Sequence, residues 1–314
     1  MKIIFMGTPR FALPSLEAIF SSRHVVKAVV TGEDVKRGRG LRMQEPPVKT
    51  LAKSLGLPVI QPTSLKSTDL IQEMKSFSPD ILVVVAFKIL PKAILEVPKK
   101  GSINLHASIL PKYRGAAPIN WAIINGDKET GISIFQIKPK VDTGDILLQR
   151  YMKIQPEDTA GSLAEKLSVI GAEAIVEVLD GIEKGEMTAI PQEDKLATAA
   201  PKIFPELCRI DWNKDAVVLK GLIRGLSPAP GAYSFFKKRR IKILAAAVSE
   251  SSFHEEPGTI VLRDKKQLGI QTGNGLLSPR EIQVEGRKPL GVEDFLRGFQ
   301  GKIGEKFTSP EGSL

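Results

Sequence analysis

Along the first part of the chain, short runs that are apolar at every position alternate with stretches whose apolar residues recur at helical spacing. Residues 3–6 form one such run, and Gly7-Thr8-Pro9 turns from it into a helix reaching about Phe20. Pro9 sits near the helix start, where a missing N–H costs nothing. Val25–Val30 reads as the next strand, followed by a loop rich in Gly and Arg, a helix over 48–55 and a brief strand at Val59–Ile60. Residues 81–87 (Ile-Leu-Val-Val-Val-Ala-Phe) are apolar throughout, as in a central parallel strand buried on both faces. Further along come a strand at 102–105, a helix at 119–124 and a strand at 132–137 whose alternation predicts one exposed face. An antiparallel return at 146–154 and a helix over 163–182 complete the series. The succession predicts an α/β fold with a Rossmann-like, doubly wound, mainly parallel sheet.

The pattern then changes. Residues 187–204 lack periodicity and, with Pro191, Pro201 and Pro205 in or beside them, have the composition of a linker. Beyond lies a helix at Ala216–Leu226, then strand candidates at 233–236, 241–248, 259–262, 269–271 and 281–284, and a closing helix at 292–297. Short strands at such close spacing predict a small β-barrel of the OB-like type. Residues 1–186, 187–204 and 205–314 are therefore expected to be a first domain, a linker and a C-terminal barrel domain.

Composition sharpens this outline. Hydrophobic residues at 42% and charged residues at 25% suit a globular chain with a sizeable core and argue against disorder. The 45 Lys+Arg against 35 Asp+Glu leave a net charge of +10, shared by both parts of the chain, which suits a polyanionic partner, nucleic acid first. The single cysteine, Cys208, excludes an intramolecular disulfide and a multi-cysteine metal site and fits a reducing compartment. No run approaches the ~20 apolar residues needed to cross a bilayer, and residues 3–6 are too short a run for a secretory signal. A cytoplasmic protein without membrane contact or bound metal is expected.

Candidate chemistry centres on Asn104-Leu105-His106, at the end of a predicted parallel strand. Residues two apart on a strand point to the same side, and parallel strands deliver binding groups at their carboxyl ends. A carboxylate is available from Val141-Asp142-Thr143-Gly144-Asp145, in the loop after the next strand. An amide, an imidazole and a carboxylate suit acyl transfer to an amine. Asn104 and His106 can donate hydrogen bonds to a developing oxyanion, and Asp142 can orient His106 or accept the amine proton through water. No Ser or Cys stands beside a base as a nucleophile, so a covalent intermediate is not expected. Nicotinamide binding is disfavoured too, because Pro9 and Ala12 replace the second and third glycines of the G-x-G-x-x-G fingerprint.

After His106 the chain reads Ala107-Ser108-Ile109-Leu110-Pro111-Lys112-Tyr113-Arg114-Gly115-Ala116-Ala117-Pro118. This resembles the folate-dependent formyltransferases, marked by Asn-x-His-x-Ser-Leu-Leu-Pro and, in one subgroup, by Arg-Gly-Ala-x-Pro. Asp142-Thr143-Gly144-Asp145 matches the family's second mark, and Arg209-Ile210-Asp211-Trp212 resembles the start of the C-terminal domain found in its tRNA-acting branch. The resemblance covers nearly the whole chain. It implies catalytic roles for Asn104, His106 and Asp142. It also implies a site for 10-formyltetrahydrofolate, the formyl donor, formed by the backbone of Ser108, Ile109, Leu110 and Pro111 together with Phe87, Ile89 and Leu90. At 86–91 the chain reads Ala-Phe-Lys-Ile-Leu-Pro, one residue shorter than the family's loop and without its glycine.

The tRNA-acting branch formylates methionyl-initiator tRNA and is usually monomeric. Thr31, Asp34 and Gly38-Arg39-Gly40 resemble its tRNA-contacting loop, and Arg39 falls where the contacting arginine sits. Lys36, Arg37, Arg39 and Arg42 make that loop cationic, and its glycines make it flexible enough to order on phosphates. Lys237-Lys238-Arg239-Arg240 reads as a hairpin turn of the barrel, equally suited to RNA contact or to guarding a sheet edge. Two other readings stay open: formylation of an amino sugar nucleotide, and a non-catalytic RNA-binding protein. The second gives no reason for Asn104, His106 and Asp142 to coincide.

Overall fold

A computed structural model of the chain describes residues 1–37, 42–250 and 253–308. In chain order it forms β1 (Lys2–Gly7), α1 (Leu13–Phe20), β2 (Val25–Val30), the short arms β3 (Val35–Arg37) and β4 (Arg42–Gln44), α2 (Pro47–Ser54) and β5 (Val59–Ile60). Next come α3 (Thr68–Ser76), β6 (Ile81–Val85), α4 (Lys92–Leu95), β7 (Ser102–His106), β8 (Arg114–Gly115) and α5 (Pro118–Ile124). These lead to β9 (Glu129–Gln136), β10 (Ile146–Lys153), α6 (Ala160–Lys184) and β11 (Ala199–Ala200). The remaining elements are α7 (Ala216–Leu226), β12 (Ala232–Phe236), β13 (Arg239–Ser249), β14 (Ile260–Arg263), β15 (Leu268–Gln271), β16 (Leu276–Val284), β17 (Leu290–Gly291) and α8 (Val292–Gly298).

Two compact units result. The first comprises Met1–Pro118, Glu129–Lys153 and Ala164–Ala200; the second comprises Ile119–Lys128, Ile154–Leu163 and Pro201–Leu314. This division differs from boundaries drawn at 186 and 204, because two stretches of the first half pack with the C-terminal residues while 187–200 pack with the first unit.

The first unit carries a seven-stranded sheet in the order β10-β9-β7-β6-β1-β2-β5. Strands β1, β2, β5, β6 and β7 are parallel, whereas β9 runs opposite to β7 and β10 opposite to β9. The chain winds outward from β1 through β2 to β5, then returns to the other side with β6 and β7, so a switch point lies between β1 and β6. Gly7, Val85 and Leu105 lie in register there, and a crevice opens at such a point in doubly wound sheets. The uniformly apolar sequence of β6 is buried at all five positions, as a central strand requires.

Strand β9 departs from expectation. Its alternation predicts one exposed face, yet Thr130, Ile132, Ser133, Ile134 and Phe135 are all buried. The sheet here is covered on both sides, and Ser133 is tolerated because its hydroxyl is fully hydrogen-bonded. Helix α3, which the sequence reading omits, buries Leu70 and Met74 one turn apart. The segment after α6 is also more ordered than linker composition suggests. Ile190 pairs with Ile146 through two 2.8 Å backbone bonds, and β11 pairs in parallel with β8.

The second unit holds an antiparallel sheet in the order β12-β13-β16-β15-β14, with β17 on β16. Residues 305–308 bond to Gly258 and Ile260 on one side and to Phe235 on the other, linking the two ends of the sheet at these positions. Inside lies an apolar core that includes Trp212, Leu219, Ile223, Ile243, Ile270 and Ile282. An aromatic group sits within it, with the Phe236 ring 4.8 Å from that of Phe299 and 5.1 Å from that of Phe307. Truncation of Phe236 to Ala is expected to destabilise this unit by ~3–5 kcal/mol, read as a lower denaturant midpoint for its unfolding transition.

Candidate active site

Asn104 and His106 occupy β7 two positions apart, hence on the same side of the strand. The His106 side chain is 7% exposed, and its ring lies edge-on to Phe135. Its Nε2 stands 2.8 Å from the carbonyl oxygen of Tyr113. A carbonyl only accepts, so Nε2 carries the proton and Nδ1 alone faces the rest of the site. Asp142 presents Oδ2 3.9 Å from that Nδ1, with its side chain 12% exposed, and the same oxygen accepts the Gly115 N–H at 2.9 Å. Asn104 is half-buried, and its carboxamide has no hydrogen-bond partner among the described residues, so its donor is free for a substrate.

Asp142 does not arrive at this point simply by following a neighbouring strand. Strand β9 is antiparallel to β7, so Gln136 lies beside Ile103, three residues or about 10 Å from His106 along the strand. The turn at 137–145 therefore folds back to bring the carboxylate to the imidazole. Asp142 takes a left-handed φ of 52°, and Gly144 sits where any side chain would collide with the carbonyl of Gln136. Gly115 is equally constrained: at φ 132° an added Cβ would stand 2.5 Å from the Ala200 carbonyl oxygen.

The 108–111 turn is rigid. The Ser133 hydroxyl donates to the Ser108 carbonyl at 2.7 Å and accepts from the Leu110 N–H at 2.9 Å, and Gln149 caps the Leu110 carbonyl at 2.9 Å. The Ser108 hydroxyl is spent on the Lys112 carbonyl, and Leu110 packs with Phe135 and Ile146. The side chains of Ser108 and Leu110 thus shape the turn, leaving Ile109 and Pro111 less buried. After β6, Ala86 turns the chain with a left-handed φ of 49°. Leu90 packs into the core, Phe87 lies half-buried against it, and Ile89 is 71% exposed. The backbone of residues 87–90 bonds to nothing else among the described residues, which gives this apolar strip a free hydrogen-bonding edge suited to a flat heterocycle.

Several residues that serve the site were not foreseen. Ser133 carried a signal, a lone polar residue inside Ile-Ser-Ile-Phe. Gln149, Gln192 and Thr198 carried none. The Thr198 hydroxyl accepts the Tyr113 N–H at 2.8 Å, while Gln192 bonds to the carbonyls of Asp142 and Gly144.

The basic residues fall into two groups. Arg37 and Arg42 belong to the paired arms β3 and β4, where a flexible loop was expected; Lys36 is exposed on β3, and Arg39 lies outside the described residues. The arms stand on Lys49. Its Nζ donates to Asp34, before β3, at 2.7 and 2.8 Å, and lies 3.3 Å from Glu45, after β4. Gln61 donates to Asp34 at 2.8 Å as well. The bonds from Lys49 and then Gln61 hold the Asp34 carboxyl below its ordinary pKa, and the bond to Asp34 raises that of Lys49. Lys237 and Lys238 form the β12–β13 turn, both at positive φ, while Arg239 and Arg240 already belong to β13. Lys237 pairs with Glu305, and Arg240 pairs with Glu285 and lies over the Tyr233 ring. The side chains of Lys238 and Arg239 are exposed and have no partner among the described residues.

A doubly wound sheet with an amide, an imidazole and a carboxylate beside its switch point agrees with the family comparisons. The Formyl transferase family model matches residues 1–179, and the Formyl transferase, C-terminal domain model matches residues 202–300. The chain belongs to the formyl transferase family. Among its relatives are the methionyl-tRNA formyltransferase of Alkaliphilus oremlandii, 46% identical over 95% of this chain and 96% of that one, and the enzyme of the same name from Caldanaerobacter subterraneus, 46% identical over 100% and 99%. Similar solved structures include a sugar 3N-formyl transferase (TM-score 0.65, 18% identity, covering 92% of this chain and 99% of that one). An N-formyltransferase from Helicobacter canadensis is similar too (TM-score 0.65, 20% identity, covering 89% and 99%). At these identities the two structures show a common fold.

The Lys49 anchor has a defined pH window. Asp34, with its pKa lowered, adds stability above about pH 4 that is lost as pH falls through its folded value. Lys49, with its pKa raised, adds stability below about pH 10 that is lost as pH climbs past its folded value. Between these limits the arms are tied down. Replacement of Lys49 by Met is expected to speed amide exchange at Val35 and Lys36 at neutral pH, leaving exchange in β1 unchanged.

Proposed function

We propose that this chain transfers the formyl group of 10-formyltetrahydrofolate to the amino group of methionyl-initiator tRNA, giving the N-formylmethionyl-tRNA used to start translation. The observation that carries the reading is the pairing of buried His106 with half-buried Asp142 beside Asn104, in a chain matching methionyl-tRNA formyltransferases over almost its full length. The folate supplies an activated formyl carbon. Its flat ring fits the apolar strip at Phe87, Ile89 and Leu90, next to the stiffened turn of Ser108, Ile109, Leu110 and Pro111.

In this reading Asn104 donates its amide hydrogen to the formyl oxygen as negative charge develops there. His106 aids the same oxygen through Nδ1–H once its ring has taken up the amine's proton, with the Asp142 carboxylate facing that nitrogen. A bond forms between the methionyl nitrogen and the formyl carbon, and the bond from that carbon to the folate nitrogen breaks. The proton lost by the amine passes through the Asp142–His106 pair to the departing nitrogen, so protons balance and no covalent enzyme intermediate is needed. Lys36, Arg37 and Arg42 on the paired arms and Arg39 in the sequence between them, with Lys237, Lys238, Arg239 and Arg240 of the C-terminal hairpin, serve as phosphate contacts. Lys238 and Arg239 are the best placed of the latter, since Lys237 and Arg240 already have acidic partners. The reading includes a monomer working in the cytoplasm.

The test is incubation with labelled formyl-folate and charged initiator tRNA, with an amino sugar nucleotide as competitor acceptor. Label should enter the tRNA, and transfer to the sugar instead would overturn the substrate assignment. His106→Ala and Asp142→Asn are each expected to lower turnover by ~10²–10⁴-fold, and near-normal rates would remove the catalytic assignment. Alanine at both Lys238 and Arg239 should weaken tRNA binding and flatten the slope of log affinity against log salt by about 1 to 2 units. An unchanged slope would exclude these two residues as phosphate contacts.

A further inference from the structure

Residues 190–200 have a linker's composition, yet their polar side chains end on the two segments that present His106 and Asp142. Gln192 is central. Its Nε2 donates to the carbonyl of Asp142 at 3.0 Å and to that of Gly144 at 2.7 Å. Its Oε1 accepts from Arg114 Nε at 3.1 Å and Nη2 at 2.8 Å. Arg114 is fixed in turn by Asp194, 2.7 Å from Nη2, and by its own N–H bonded to the Thr198 carbonyl at 2.8 Å. One half-buried carboxamide thus spans from the 142–144 turn to β8, and Gly115 of β8 is the residue whose N–H holds the Asp142 carboxylate.

Geometry gives this bridge its importance. Asp142 occupies the left-handed region, which a non-glycine residue keeps only where its surroundings over-determine it. Gln192 binds the carbonyls on both sides of Thr143, so it fixes the path of the backbone at this residue and the next two. Its hydrogen bonds go to Arg114 and to the carbonyls of Asp142 and Gly144, and none reaches the His106 ring or the Asp142 carboxylate. It acts on where the carboxylate stands.

We propose that Gln192 is a positioning residue for formyl transfer: by tying the Asp142 turn to Arg114 it sets the separation of the Asp142 carboxylate from the His106 ring. The proposal rests on the reading of Asp142 as a catalytic group. Such a role makes Gln192, on a stretch with a linker's composition, a support of the active centre.

A double-mutant cycle separates this role from simple packing. Gln192→Leu and Gln192→Glu are made in the native chain and in Asp142→Asn, with Lys195→Ala as a control on the same segment, where the lysine side chain is 78% exposed. In the native background Gln192→Leu should lower kcat by ~10–100-fold, as a misplacement of about 1 Å can do. KM for folate and tRNA should change less than about threefold, and the pH profile of kcat should be displaced. Gln192→Glu should fall in the same direction, because a carboxylate still accepts from Arg114 but cannot donate to two carbonyls. Should Gln192→Leu not fold, this second variant carries the test. In the Asp142→Asn background neither change should lower the residual rate further. Lys195→Ala should leave turnover unchanged. Native kcat in both Gln192 variants, or an equal loss in both backgrounds, overturns the proposal while leaving the role of Asp142 intact. Native turnover in Asp142→Asn alone would instead overturn the reading beneath it.

Discussion

An imidazole that gives one nitrogen to a backbone carbonyl has only the other for chemistry, and the active region of this protein is arranged around that constraint. Once His106 Nε2 donates to Tyr113, the ring cannot rotate, its tautomer is fixed and Nδ1 must look toward Asp142. The carbonyl of Tyr113 must therefore be held still. It is, by a left-handed φ of 61° and by an N–H bonded to Thr198. Upstream, Ser133 and Gln149 stiffen the turn leading from His106 to Tyr113. Polar groups fixed before a reaction begins need no rearrangement when charge develops, which is where a site of this kind gains its power.

The sheet explains why these groups meet. Parallel strands β1, β6 and β7 end together, so the Gly7 turn, the loop after β6 and the residues after His106 share one edge. Reversal of β9 then sends the chain away from that edge, and a turn containing a left-handed Asp142 and a glycine-restricted Gly144 brings it back. The carboxylate depends on this irregular return. Its supports come from β8 and from residues 190–200 rather than from the sheet itself.

Much of this was readable in the amino-acid order. The apolar run at 81–87, of which 81–85 form the strand, and the elements at Val25–Val30, Val59–Ile60 and Ala216–Leu226 reflect their patterns, because burial on both faces or on one helical stripe leaves a direct imprint on residue choice. The pairing of Asn104 with His106 on one side of a strand needed only the two-residue period. Strand β9 misled, since Ser133 imitates an exposed position although it is buried. A polar residue looks the same in sequence whether water or a buried partner satisfies it.

Sequence by itself therefore determined most of the elements, the doubly wound topology, the basic character and the residue types available for acyl transfer, all of which follow from local periodicity and side-chain chemistry. Tertiary structure alone decided which nitrogen of His106 is free, how far Asp142 stands from it and that a proline-bounded stretch serves as a brace. Those facts depend on contacts between residues 7 to 85 positions apart, such as His106 with Tyr113 and Tyr113 with Thr198. No local pattern encodes such pairings; only the folded chain brings the partners within hydrogen-bond distance.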